Sequence, residues 1–185
     1  KAYFTDKLLV CKNKTELAYS VAKAEEKIMS LSDEKSFSLY VSIPFCPTRC
    51  NYCSFVSHSI AQAKKLLPDY VENLCKEIKQ TAEIANSLGL RLESIYWGGG
   101  TPTTLSAEML ERICAEINND FDLSHIREYT IEAGRADTVT AEKLRVIKAA
   151  GVGRISINPQ TFNDDVLKAI GRRHTVDDVV RVFNE

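Results

Sequence analysis

From Leu39 onward the chain alternates between two hydrophobic periods, short β-favouring runs and longer stretches with an apolar residue every three or four positions. Strands are predicted at Leu39 to Ile43, Glu93 to Trp97, Glu128 to Glu132 and Arg154 to Asn158. Between them, Val71, Leu74, Cys75, Ile78, Ala82 and Ala85 mark one helix from about Pro68 to Leu88, which Gly89 ends. Leu110, Ile113, Cys114 and Ile117 mark a second behind an N-cap at Ser106, and Ala141, Leu144 and Ile147 a third behind Thr140, closed by Gly151. A short helix from about Asp164 and another from about Val176 complete the pattern. Strand followed by helix, four times over, is the signature of βα units around a parallel sheet with outer helices. Residues 1 to 35 stand outside that repeat; Leu17, Val21, Ala24, Ile28 and Leu31 predict one amphipathic helix packed against or leading into the core.

Composition changes this picture little. Hydrophobic residues make up 44% and charged residues 26% of 185, enough for one substantial core. Lys and Arg number 24 against 25 Asp and Glu, so the net charge of -1 gives no reason to expect a nucleic-acid partner. No apolar run approaches the roughly 20 residues that span a bilayer, and Lys1 to Val10 lacks the apolar centre of a signal peptide. A cytoplasmic protein without a membrane span is expected.

The cysteines matter more. Of six, Cys46, Cys50 and Cys53 fall within eight residues just after the first strand, whereas Cys11, Cys75 and Cys114 are scattered. Cys75 and Cys114 lie on apolar helix faces and read as small buried hydrophobes. Clustered thiols in a reducing compartment read as metal ligands rather than disulfides. Four thiolates normally hold a four-iron cluster, so a Cys-x3-Cys-x2-Cys triad leaves one coordination position open, the mark of a catalytic rather than a structural metal. The rival is a structural zinc with His58 as fourth ligand.

With Tyr52 before the last cysteine, this spacing resembles the signature of the radical S-adenosylmethionine (SAM) enzymes. The stretches Leu39-Tyr40-Val41-Ser42-Ile43-Pro44-Phe45-Cys46, Gly98-Gly99-Gly100-Thr101-Pro102 and Arg154-Ile155-Ser156-Ile157-Asn158-Pro159-Gln160-Thr161-Phe162 narrow the likeness. In order and separation they are similar to the oxygen-independent coproporphyrinogen III oxidases, most of all to the variant termed coproporphyrinogen dehydrogenase. The resemblance implies a partial (βα) barrel of radical SAM type, of which about four βα units are visible in 36–185. It implies a [4Fe-4S] cluster on Cys46, Cys50 and Cys53, its free iron chelated by the methionine end of SAM. An electron from the cluster then cleaves a carbon–sulfur bond and releases the 5′-deoxyadenosyl radical.

By the same resemblance, Gly98, Gly99, Gly100 and Thr101 hold the methionine end of SAM, and Tyr40 contacts SAM. Tyr52 lies beside the adenine, Glu132 accepts bonds from the cofactor, and Gln160 and Arg172 hold its ribose and carboxylate. Tyr40 and Glu132 also have plainer readings. Gly98 to Gly100 end a strand where ligand polar groups can approach bare backbone, Tyr40 could pack in the core, and Glu132 could be a solvated strand end paired with Arg135. Arg172 suits a carboxylate because its planar fork binds bidentately. Arg173 and His174 read as solvated, or as contacts for substrate propionates. All of these candidates lie at or beyond the C-terminal ends of predicted strands, where parallel α/β folds build their sites.

The substrate implied is coproporphyrinogen III, with a separate electron donor; no residue is a conventional acid or base. Three departures from the family pattern stand out: Arg135 where many relatives have proline, Asn158-Pro159 in place of a glycine-containing dipeptide, and Phe55 where some members carry a fourth cysteine. Phenylalanine at that place is shared by relatives thought to traffic haem. The chain opens at Lys1 and stops within the pattern Val179, Val180, Val182, Phe183, and the resemblance implies six βα units, so later strands are expected outside these residues.

Overall fold

The computed structural model describes residues 1–55 and 58–185. The chain divides into two compact units, Lys1–Ser36 and Phe37–Glu185. In the first, α1 (Lys12–Met29) carries the expected apolar positions Leu17, Val21 and Ile28, all of them exposed.

The second unit is built on a four-stranded sheet of β1 (Ser36–Ile43), β4 (Arg91–Gly99), β5 (Glu128–Glu132) and β6 (Arg154–Ser156), in that spatial order. β4 and β5 run parallel with Ile95 opposite Tyr129 and Trp97 opposite Ile131; β5 and β6 run parallel with Glu132 opposite Ser156. Two short parallel strands, β2 (Phe45–Cys46) and β3 (His58–Ser59), flank the cysteine loop, and the one-turn helix α2 (Ile60–Ala63) follows β3. Strand alternation divides the sheet into two faces. Val41, Ile43, Ile95, Trp97, Tyr129 and Ile131 are buried on one, against α3 (Leu67–Ser87), α4 (Ala107–Asp120) and α5 (Ala141–Ala149). Val71, Cys75, Ile78 and Ala82 of α3 and Leu110, Ile113, Cys114 and Ile117 of α4 supply the helical half of that core. Each such aliphatic side chain withdrawn from water contributes about 1.5–3 kcal/mol before the cost of ordering it.

The opposite face is polar. Ser38, Tyr40, Ser94, Tyr96, Glu128, Glu132 and Arg154 project from it, and Ser94 Oγ donates to Ser38 Oγ at 2.7 Å. At the other end of the strands, Glu93 is 7% exposed, and its carboxylate accepts from Arg91 Nη2 at 2.8 Å and from Arg127 Nη2.

The expected caps form: Ser106 Oγ accepts from Met109 N and Thr140 Oγ1 from Lys143 N, each at 3.3 Å. Cys75 and Cys114 are buried as expected, and burial pushes the Cys114 thiol up to about 11. Strand limits differ from expectation. β4 runs two residues further at each end and takes in Gly98 and Gly99, whereas β6 stops at Ser156, whose carbonyl accepts from Ala133 N at 2.9 Å. β6 ends where its partner does, with Ser156 opposite Glu132, the last residue of β5. α6 (Asp164–Ala169) and α7 (Val176–Asn184) close the chain. Among the described residues no helix is long and apolar enough to cross a membrane.

Candidate functional site at the strand ends

The chain leaving β1 passes directly over the glycine run that ends β4. Gly100 N donates to Ile43 O at 2.8 Å and Thr101 N to Phe45 O at 2.9 Å, which fixes Cys46 beside Thr101 with Sγ and Oγ1 3.3 Å apart. A Cβ at Gly100 would lie 2.7 Å from Phe45 O and 3.0 Å from Cys46 Sγ, so only glycine lets the two segments approach this closely. Gly99 adopts φ +100°, and a Cβ there would stand 2.8 Å from Ser42 Oγ.

Gly98 faces the polar side of the sheet. A Cβ there would meet Tyr40 Oη at 2.7 Å, Tyr96 Cε1 at 3.3 Å and Glu132 Cδ at 3.4 Å. Tyr40 and Tyr96 stack with ring centroids 6.1 Å apart and 8° between planes. Tyr96 Oη donates to Glu132 Oε1 at 2.6 Å, and this bond to a carboxylate, with burial, pushes the phenol up to about 12. Burial and the Glu132 charge raise the Tyr40 phenol as well. Tyr40 is 56% exposed, which excludes the core-packing alternative, and Val41 beside it is buried.

The cysteine loop is gripped from its other side by the end of α6. Thr48 Oγ1 donates to Gly171 O at 2.8 Å, Asn51 N to Ile170 O at 3.1 Å, and Asn51 Nδ2 to Ala169 O at 2.7 Å. Arg172 follows directly; its Nη1 donates to Gly134 O at 2.9 Å and its Nη2 to Tyr52 Oη at 3.1 Å, while Nε is buried with no partner among the described residues. Thus Tyr52 and Arg172 form one pair, Cys46 and Thr101 a second, and Tyr40, Gly98 and Glu132 a third group completed by Tyr96. Gln160 is exposed, with no hydrogen bond to Glu132 or Arg172 among the described residues, and its backbone is left-handed at φ +66°.

Two expectations are corrected. Glu132 does not pair with Arg135: the 3-10 turn Ala136–Thr138 carries Arg135 inward, where it is 2% exposed and bonds Asp137 and Thr48. His174 is neither solvated nor open to substrate; it is 2% exposed, with Nε2 3.4 Å from Pro159 O. Arg173 is exposed as expected. Tyr96 and Arg135 were not among the expected site residues. Alternation of β4 between Ile95 and Trp97 puts Tyr96 on the face of Tyr40, which is the signal that could have found it.

The three thiols are free and partly accessible, a soft donor set suited to an iron–sulfur cluster. Among the described residues, no group of three His, Cys, Asp or Glu side chains is arranged to hold a metal ion. The surroundings fit such a group: Arg172 Nε and Arg135 Nη2 are buried with no partner among the described residues, and both offer donors at this end of the sheet.

Comparison with known proteins agrees with this arrangement. The pattern described as the radical SAM superfamily matches residues 40–185. The chain belongs to the radical SAM superfamily. The oxygen-independent coproporphyrinogen-III oxidase-like protein HemZ of Bacillus subtilis is 40% identical over 148 residues, 80% of this chain and 30% of the relative. The heme chaperone HemW of the same organism is 40% identical over 147 residues, 79% of this chain and 38% of that one. The coproporphyrinogen III oxidase HemN of Escherichia coli, described as a radical SAM enzyme, superposes with a TM-score of 0.71 at 28% identity, covering 82% of this chain and 34% of that one. The chain spans about a third of the length of the curated relatives it matches. The radical SAM fold and its HemN-like branch are therefore shown, and the relatives' names divide between oxidase and chaperone.

Proposed function

We propose that the whole protein is a cytoplasmic oxygen-independent coproporphyrinogen III dehydrogenase of haem biosynthesis, which converts two propionates to vinyl groups and yields protoporphyrinogen IX. In this reading Cys46, Cys50 and Cys53 hold a [4Fe-4S] cluster, and Tyr40, Tyr52, Gly98, Gly99, Gly100, Thr101, Glu132, Gln160 and Arg172 bind SAM. The bound pair would supply a radical able to take hydrogen from the propionate β-carbon, and loss of carbon dioxide and of one electron to an acceptor would complete each vinyl. An electron donor serves the cluster.

The observation that carries the reading is the meeting of Cys46 with Gly100 and Thr101 at the C-terminal ends of β1 and β4. It brings the thiol loop and the end of the glycine run to one place, beside the polar face of the sheet that Gly98 adjoins. There Glu132 has one oxygen committed to Tyr96, leaving Oε2 as an acceptor for a donor on the ligand. Arg172 has its two terminal nitrogens anchored, so Nε remains to meet an anionic group. No side chain in this group acts as a proton shuttle. The chain's contribution is orientation of the reacting carbon, an effect that reaches about 7–11 kcal/mol in favourable intramolecular cases. Likeness to HemZ and HemN supports the substrate.

A second reading, a haem-binding chaperone on the same core, is favoured by the equal identity to HemW and by Phe55, 60% exposed just beyond Cys53. Anaerobic incubation of the whole protein with iron, sulfide, reductant, SAM and coproporphyrinogen III separates the two. Protoporphyrinogen IX together with 5′-deoxyadenosine is the expected result. Neither product from cluster-loaded protein, with haem bound, overturns the dehydrogenase in favour of the chaperone.

A further inference from the structure

The turn after β5 buries a guanidinium beside the cysteine loop. Arg135 is 2% exposed; Nε donates to Asp137 Oδ1 at 3.3 Å, and Nη1 donates to Thr48 O at 3.1 Å and reaches Cys50 Sγ at 3.7 Å. Nη2 is buried with no partner among the described residues. Asp137 Oδ1 also lies 3.8 Å from Nδ1 of the buried His174, whose Nε2 stands 3.4 Å from Pro159 O.

A guanidinium cannot shed its charge at physiological pH, so burying it demands counter-charge and acceptors. Here the carboxylate in contact is that of Asp137, 20% exposed and held by Arg135 through one nitrogen only. A carbonyl contributes partial charge, and an N–H is left over. What the arrangement lacks is a second strong acceptor, and the atom already within reach of Nη1 is the sulfur of Cys50. As a cluster ligand that sulfur would be a thiolate, and a guanidinium donor aimed at it would make a charge-assisted bond. The loop is then gripped from two sides, by Arg135 through Thr48 O and by the end of α6 through Asn51 and Thr48 Oγ1.

We propose that Arg135 is a positioning residue for the cysteine loop whose guanidinium donates to the Cys50 thiolate and so favours the reduced form of the iron–sulfur group that the loop holds. The inference rests on the cluster reading given above. Reduction adds negative charge next to a fixed cation that donates to a ligand sulfur, and hydrogen bonds and net charge at the sulfurs are among the main determinants of cluster potential. The arginine therefore raises the midpoint potential, and its loss lowers it. Asp137 sets the direction of the fork, and His174 packs behind Asp137 from the segment before α7.

The test uses the full chain, reconstituted anaerobically with iron and sulfide, as wild type and as Arg135→Met, Arg135→Gln and Arg135→Lys. Iron and sulfide per chain, circular dichroism and a redox titration followed by electron paramagnetic resonance are measured on each. Expected is cluster uptake by the wild type, with the Met and Gln midpoints shifted to more negative potential and the Lys midpoint between them and wild type. Arg112→Met removes an equal charge paired with Glu72 on the outer helices and leaves the potential where it was. Should Arg135→Met fail to fold, the Lys and Gln variants decide: a more negative midpoint for Gln supports the proposal, and equal midpoints overturn it. Cluster-loaded variants that all share the wild-type potential overturn this inference alone. A wild-type chain that takes up no iron and sulfide overturns the cluster reading first.

Discussion

The six thiols of this chain differ in what surrounds them. Cys50 lies within reach of a buried guanidinium, whereas Cys75 sits in the helical core at 4% exposure with its thiol raised chiefly by burial. A raised thiol in an apolar setting is a poor metal ligand. Cys50→Ala is accordingly expected to abolish cluster uptake and Cys75→Ala to leave it intact, as read by iron and sulfide per chain; equal loss in both would mean the wrong thiols are assigned. Gln160 offers an independent test at the same scale. A non-glycine residue at φ +66° carries strain of about 1–2 kcal/mol, and such outliers gather at ligand sites. Gln160→Gly is expected to raise the unfolding free energy by about 1 kcal/mol in urea and to weaken SAM binding about tenfold through the lost side-chain hydrogen bond. Unchanged SAM affinity would remove Gln160 from the site.

Elements were legible where one period dominated. α3 and α4 each repeat apolar residues over several turns; α3 forms within about a residue of expectation, and α4 begins behind the expected cap at Ser106. β6 was overextended because Ile157 and Asn158 continue the alternation, yet the ladder ends at Ser156, a limit set by its partner β5 rather than by its own residues. The glycine run shows what sequence alone leaves open: three glycines announce close approach, but whether of ligand or of chain depends on the path of β1. Gly99 and Gly100 meet β1 and β2, and only Gly98 faces the polar side. Arg135 and His174 were misjudged for a related reason, since polarity suggested solvent and the tertiary path buried both. α7 allows a prediction at this scale. Its capping box joins Thr175 and Asp178, and the Thr175 N–H holds the Asp178 carboxyl below its ordinary 3.8. A depressed carboxyl stabilises the fold fully above its unfolded value and loses that contribution as pH falls through the folded value. Helix α7 should therefore loosen in acid below about pH 4, and Thr175→Ala should cost about 1 kcal/mol at pH 7. Amide exchange across Val176–Asn184 reads both; acid-insensitive exchange would refute the role given to Asp178.

At the scale of the whole molecule, the decisive asymmetry is between the two faces of the sheet. Helices α3, α4 and α5 cover one face with apolar side chains, and the other carries Tyr40, Tyr96, Glu128, Glu132 and Arg154. A sheet buried on both sides would favour apolar residues there; a polar face suits a wet, ligand-holding surface. The bonds between Tyr96 and Glu132 and between Arg154 and Glu128 tie neighbouring strands together across that face without closing it. Every residue assigned to cluster or SAM lies in the Phe37–Glu185 unit, as does the segment matched to the superfamily, 40–185. The site's hydrogen bonds likewise join residues of that unit to one another: Thr48 to Gly171, Arg135 to Cys50, Arg172 to Tyr52. If cluster assembly depends on these contacts alone, removing residues 1–35 should leave iron and sulfide per chain, and the cluster's absorption, as in the intact chain. Ser36 is retained in that deletion because β1 begins there and its path carries Cys46 to Thr101. A fall in cluster content with no loss of helical circular dichroism beyond that of α1 itself would show that the first unit contributes to the site, and would move the boundary of the functional core toward Lys1.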